Sequence, residues 1–318
     1  MPDSSQKPFP IPISYFSIAL GTASLGSAWR YAASANLAPS WPGESLAALA
    51  SAVWVLLILV YAIKILYYRP AFTADLHDLM QCCYISLIPI TTILTGLSIL
   101  PYTSAIGHIL IYLGIIGQLA FSMYRAAGLW RGLHTIKATT PIIYLPTVAS
   151  SFASTIAMSA LHQHELAIMF FGAGMLSWTS LEAAILSRLR TDTPLAPPMR
   201  GLIGIQLAPA FVGCNAYFTI NGHQLDTIAL LLIGYGILQL LFLLRLLPWI
   251  LEAGFTMGLW GFSFGLATMA GCGMHILVMA PHLALLGYIL WIGGSALIGL
   301  LWLWTLLTIM RGKFLVKA

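Results

Sequence analysis

The sequence predicts an all-α integral membrane protein of ten transmembrane helices, arranged as five helical hairpins with inner odd and outer even helices. Three observations carry this prediction. Hydrophobic residues fill 59% of 318 positions, only 7% are charged, and the mean hydropathy is +0.91, far from the balance of a soluble domain. The apolar residues gather into ten runs long enough to cross a bilayer core as helix, about 20 residues each. The basic residues sit between these runs in a regular alternation. Consecutive spans pack as one bundle, so residues 1–318 read as a single transmembrane domain.

The runs extend over 13–32, 45–68, 82–100, 104–127, 142–161, 165–188, 199–220, 226–249, 256–279 and 284–310. The first follows MPDSSQKPFPIP, which has one lysine and no small-residue cleavage site before residue 32. It therefore reads as a retained span and not a signal peptide. An even number of spans puts both termini on one side. If that side is the cytoplasm, thirteen of the fourteen Lys and Arg residues lie inside and only Arg30 lies outside, as cytoplasmic loops of membrane proteins require. The charges are spread singly, so the formal net charge of +5 marks topology and not a nucleic-acid surface.

Odd and even spans differ in composition. Spans three, five and seven each hold a proline within the apolar run: Pro89 in SLIPITT, Pro146 in IYLPTVA and Pro209 in QLAPAFV. Odd spans are also rich in small and hydroxyl residues, as in LGTASLGS and TVASSFASTIAMS. Even spans carry bulky aliphatic residues all round, as in VWVLLILVYAIKILYY. Bulky faces suit lipid, and small hydroxylated faces suit helix contacts or a water-filled path. Three interior prolines at similar depth predict kinked inner helices around a waist; packing kinks in a solid bundle would leave the same signature.

The inner helices carry almost no ionisable side chain beyond a few near span ends, Arg30 and His275 among them. Proton-coupled transport usually relies on a midplane carboxylate or histidine, so passive movement through a neutral path is expected. Glu182, on span six with Arg188 and Arg190 after it, reads first as an ion pair anchoring the helix end and second as a proton-coupling carboxylate. His108 reads as a packing histidine, and the LHQHE loop as a solvated turn. The four cysteines (Cys82, Cys83, Cys214, Cys272) form no CxxC and have no histidine at metal spacing, so neither metal nor cofactor is implied. No catalytic motif of the HExxH, GxSxG or P-loop kind is present, and no enzyme is expected.

The ninth span reads GLWGFSFG from Gly258 to Gly265. Residues two apart on a helix differ by about 200° in direction, so Phe262 and Phe264 cannot face one axis. Phe264 shares its stripe with Trp260, Thr268, Gly271 and His275, and Phe262 shares its own with Phe255, Leu266, Met269 and Gly273. The small, polar stripe is the expected pore side.

In order along the chain, YFSIALG, SAWRYA, LIPITT, ATTPIIYLPTVASSF, FFGAGMLSWTSLE, GIQLAPAFV, DTIALLLIGYG, LQLLFLLRLLPW and LWGFSFGLA closely resemble the bacterial tellurite-resistance proteins. These are homologues of the slow-type anion channels of plant guard cells. The resemblance covers nearly the whole chain. It implies a channel for monovalent anions such as chloride and nitrate, or a carrier of dicarboxylate, sulfite or tellurite oxyanions. It implies homotrimers in the bacterial inner membrane, each protomer with a pore of five inner helices occluded by a phenylalanine at Phe264. Ser17 stands where the family more often has glycine, and Ala183 where relatives often have proline. The residues expected to line the pore are Ser17, Pro89, Pro146, Pro209, Thr268 and Gly271, with Phe264 as gate and Glu182 as a coupling or structural residue.

Overall fold

The computed structural model describes residues 9–315; two of the orientation charges, Lys7 and Lys317, lie outside the described residues. The chain forms α1 (Phe16–Ser34), α2 (Trp41–Tyr67), α3 (Arg69–His77), α4 (Gln81–Tyr84), α5 (Leu87–Ile99) and α6 (Ser104–Gly128). It continues through α7 (Ser150–Ala160), α8 (His164–Thr191), α9 (Ala208–Ile220), α10 (Thr227–Ile250), α11 (Ser263–Met279) and α12 (Ala284–Met310). Nine helical segments among the described residues are long and apolar enough to cross a membrane. They begin and end within a few residues of the predicted spans two to ten. α1 is not among the nine; its 19 residues include five serine or threonine side chains and Arg30, which lower its apolarity.

Burial alternates along the chain. Over an 18-residue apolar window of the segments holding α5, α7, α9 and α11, 78–83% of residues are buried, against 17–33% in those holding α2, α6, α8, α10 and α12. In α1, 13 of 19 residues are buried. The inner helices touch in a closed ring: α1 packs on α5 and α11, α11 on α9, α9 on α7, and α7 on α5. Each also packs on the helix that follows it, α1 on α2, α5 on α6, α7 on α8, α9 on α10 and α11 on α12.

Small residues permit these approaches. A Cβ at Gly21 would fall on the Ser263 side chain, which joins α1 to α11, and one at Gly265 would lie 2.8 Å from Leu207 Cβ at the start of α9. Gly96, Gly107 and Gly114 do the same between α5 and α6. Where the hydrophobic effect cannot drive helices together, such close backbone contact holds a bundle.

The prolines act differently from the expected mid-helix kinks. Pro209 lies in the first turn of α9, and Pro89 is the third residue of α5. A missing N–H costs little at these positions, because first-turn N–H groups have no partner inside the helix. Pro146 lies near the start of a π-helical turn, Leu145–Ala149, that runs into α7. Spans five, seven and nine are accordingly two-part: 3₁₀ segments Pro141–Tyr144, Pro197–Leu207 and Met257–Phe262 precede α7, α9 and α11. The last has no proline in its apolar run, so changes of pitch at this level do not depend on proline alone. α3, folded back at the end of α2, was not anticipated; Lys64 Nζ pairs with Asp75 Oδ2 at 2.5 Å and clasps it there.

Candidate functional site

The ring of five helices encloses two cavities in line, and Phe264 lines both. The first, of about 30 Å³, lies where the pitch changes occur and is walled by Ser17, Leu87, Val148, Pro209, Gly261 and Phe264 among others. The second, of about 150 Å³, includes Ser24, Asn215, Thr268, Gly271 and His275 and reaches His223 in the loop before α10. The Phe264 side chain is 4% exposed. Thus Ser17, Pro209, Thr268 and Gly271 are brought to the two cavities that meet at Phe264. Pro89 is turned to α6, with its Cβ 3.4 Å from the Cβ position of Gly117, and Pro146 lines a separate recess.

Phe262 points elsewhere. Its ring lies against Gly204, where any Cβ would overlap it, and lines an apolar groove with Leu243, Leu297 and Trp304. Gly261 seats α11's lead-in on the backbone of Gly201, where an added Cβ would lie 3.0 Å from the Gly201 carbonyl oxygen. The glycines flanking the two phenylalanines therefore serve helix approach, and Gly261 also leaves space in the first cavity.

The path is less hydroxylated than its composition implies. Of the sixteen residues around the first cavity only Ser17, Tyr84, Tyr144 and Trp260 carry a polar side-chain group. Ser17 donates to Ser14 O at 2.6 Å, and Trp260 Nε1 to Thr305 Oγ1 at 2.9 Å. Along the ring, Thr22, Ser24, Thr91, Thr92, Ser98 and Thr268 each donate to the carbonyl four residues earlier. A hydroxyl bonded in this way offers lone pairs, not a proton, to whatever lies beside it. A narrow apolar waist of this kind resists wetting and so resists ions.

Asn215 ties α9 to α11, its Nδ2 donating to Phe211 O and Thr268 O at 2.8 Å each. At the second cavity His275 is stacked between Tyr31 and Phe218, with ring centroids 3.9 and 4.0 Å away. Its Nδ1 lies 2.9 Å from Gly271 O, and its Nε2 is 3.1 Å from His223 Nδ1. His223, in the loop outside the spans, has its pKa pushed below the ordinary histidine range by burial. No group of three or more His, Cys, Asp or Glu side chains suited to a metal occurs among the described residues.

Glu182 does not pair with Arg188 or Arg190 as expected. Arg188 Nε lies 3.9 Å from Asp192 Oδ2 instead. Glu182 Oε2 accepts from Tyr144 Oη and, at 2.9 Å, from Trp178 Nε1. Its Oε1 accepts from Tyr235 Oη at 2.6 Å and Gln206 Nε2 at 2.8 Å. Neutral donors from four segments thus hold the carboxylate, and one of them, Tyr144, also lines the first cavity. Trp178 lies one turn earlier on the same helix, but the other three donors stand 24 to 53 positions away in sequence, so no local motif signalled the cluster.

A closed five-helix ring with paired outer helices and an aromatic ring between two axial cavities is the arrangement the residues build. The sequence model of the voltage-dependent anion channel family matches residues 10–311. The chain belongs to that family. Over 312 residues, 98% of this chain and 94% of its counterpart, it is 43% identical to the tellurite resistance protein TehA homolog of Haemophilus influenzae. Membership in the voltage-dependent anion channel family makes it a multi-pass membrane protein of an anion channel or transporter family, which is not a family of enzymes.

Proposed function

We propose that the protein is a passive channel for monovalent anions, chloride and nitrate among them, closed at Phe264. The observation that carries this reading is the position of that ring between the two axial cavities. In this reading ten spans form five hairpins in the bacterial inner membrane, with both termini in the cytoplasm. Three copies assemble as a homotrimer, each with its own pore.

The chemistry favours anions without trapping them. No Asp, Glu, Lys or Arg lines the first cavity or the second. The N-terminal turns of α5 and α9 reach the first cavity through Leu87, Ala208 and Pro209, and helix N-termini carry partial positive charge. An ion that must shed water at an apolar waist passes more easily the more weakly it is hydrated. In liposomes of the purified protein, nitrate and iodide are expected to pass faster than chloride, and potassium to be excluded. Potassium flux equal to chloride flux would defeat the reading.

One observation favours a second reading, a carrier of dicarboxylate, sulfite or tellurite oxyanions. The hydrogen bond from Tyr144, at the first cavity, to Glu182 is a route by which a carboxylate off the axis could sense the path. Such a carrier would show saturable uptake driven by a pH gradient, whereas the channel's flux follows the anion gradient alone.

A further inference from the structure

Four basic side chains are buried among the described residues: Lys64, Arg125, Arg188 and Arg200. Three have a carboxylate, Lys64 with Asp75, Arg188 with Asp192 and Arg200 with Glu252. Arg125, 7% exposed near the end of α6, has none. Its Nη2 donates to Leu79 O at 2.8 Å and lies 3.5 Å from His134 Nδ1, both neutral partners. Its Nε is buried with no partner. An uncompensated buried cation is costly, and a charge in that position calls for an anion.

Arg125 opens on a recess of about 170 Å³ between α6, α8 and the π-helical turn of span five. The recess also holds Thr147, whose Oγ1 is buried without a partner, and the hydroxyl residues Ser177 and Ser180. Its rim includes Trp130, which is 90% exposed, as aromatic residues at a membrane interface are. Arg131 and Lys137 follow in the same exposed loop. Guanidinium and hydroxyl donors together match the oxygens of a phosphate, and a basic recess between helices at a membrane face is a setting for an anionic headgroup.

We propose that this recess is a binding site for a phosphate group, held by Arg125 and Thr147 and supplied by an anionic phospholipid of the surrounding leaflet. Thr147 lies between Pro146 and Val148, and Val148 lines the first axial cavity. A bound headgroup therefore rests on the back of the wall that faces Phe264. Binding itself does not depend on the proposed channel activity.

The test is melting of the delipidated full chain in neutral detergent with added phosphatidylglycerol, phosphatidylcholine or inorganic phosphate. Phosphatidylglycerol is expected to raise the melting temperature and phosphatidylcholine to leave it unchanged. Arg125→Gln should weaken the phosphatidylglycerol response about tenfold in half-effective concentration, and Thr147→Val by about threefold, the scale of one charged and one neutral hydrogen bond. Thr147→Val keeps the Arg125 contact to Leu79 and serves if the arginine variant fails to fold. An equal rise with inorganic phosphate, weakened to the same degree in Thr147→Val, would support the same site with a soluble anion as its occupant. No rise with either ligand, or a rise that Thr147→Val leaves unchanged, would overturn the proposal.

Discussion

Phe264 owes its direction to the helical period that turns Phe262 the opposite way, into a groove with Leu243 and Trp304. That much was legible from spacing and from the small, polar stripe of Thr268, Gly271 and His275. Glu182 was not, because its ligands come from α8, α10 and the lead-ins of two other spans, and a single sequence carries no trace of such contacts. Replacing Glu182 by Gln puts an amide nitrogen where an oxygen now accepts hydrogen bonds. We expect a loss of about 1–3 kcal/mol in stability with anion selectivity unchanged. Thermal melting and reversal potentials of Glu182→Gln would check both parts; an unshifted melting point would contradict the first.

At the scale of elements, composition separated inner from outer helices correctly, because helix contacts demand small side chains and lipid does not. Proline was a less faithful guide. It signalled a break at Pro89, Pro146 and Pro209, yet the breaks are changes of pitch, and Met257–Phe262 makes the same change without one. The α1–α11 contact is decided by Gly21, whose added Cβ would overlap Ser263. Gly21→Ala should therefore lower the yield of folded protein, and Gly21→Ala with Ser263→Gly should restore much of it. Absence of rescue would mean that the glycine serves another end.

The start of α10 gives a second prediction at this scale. Asp226 caps it, Oδ1 accepting from Ala229 N at 3.0 Å and Oδ2 from Tyr217 Oη at 2.7 Å. These bonds, the backbone one first, hold its carboxyl below the ordinary aspartate range. A depressed native pKa contributes stability that is complete above the unfolded value of about 3.9 and fades as pH falls through the native one. Asp226→Ala is expected to cost about 1 kcal/mol near neutral pH and progressively less in acid. Melting curves of both proteins from neutral pH to about pH 3 would show the gap closing; a gap that held constant would refute the assignment.

For the whole molecule, the proposed function makes the ring of five helices a path interrupted at one place. Cavities of about 30 and 150 Å³ meet at Phe264, and the serine and threonine hydroxyls beside them are bonded to carbonyls three or four residues earlier in their own segments. In the proposed channel the closed state follows from an aromatic ring in an apolar waist, with no charge to be moved. Single-channel recording of the protein in planar bilayers, with Phe264→Ala and Phe262→Ala compared, tests this most directly. A large rise in anion conductance for Phe264→Ala, with Phe262→Ala near the parent level, is the predicted result. Equal conductance in all three proteins, or a rise confined to Phe262→Ala, would contradict it.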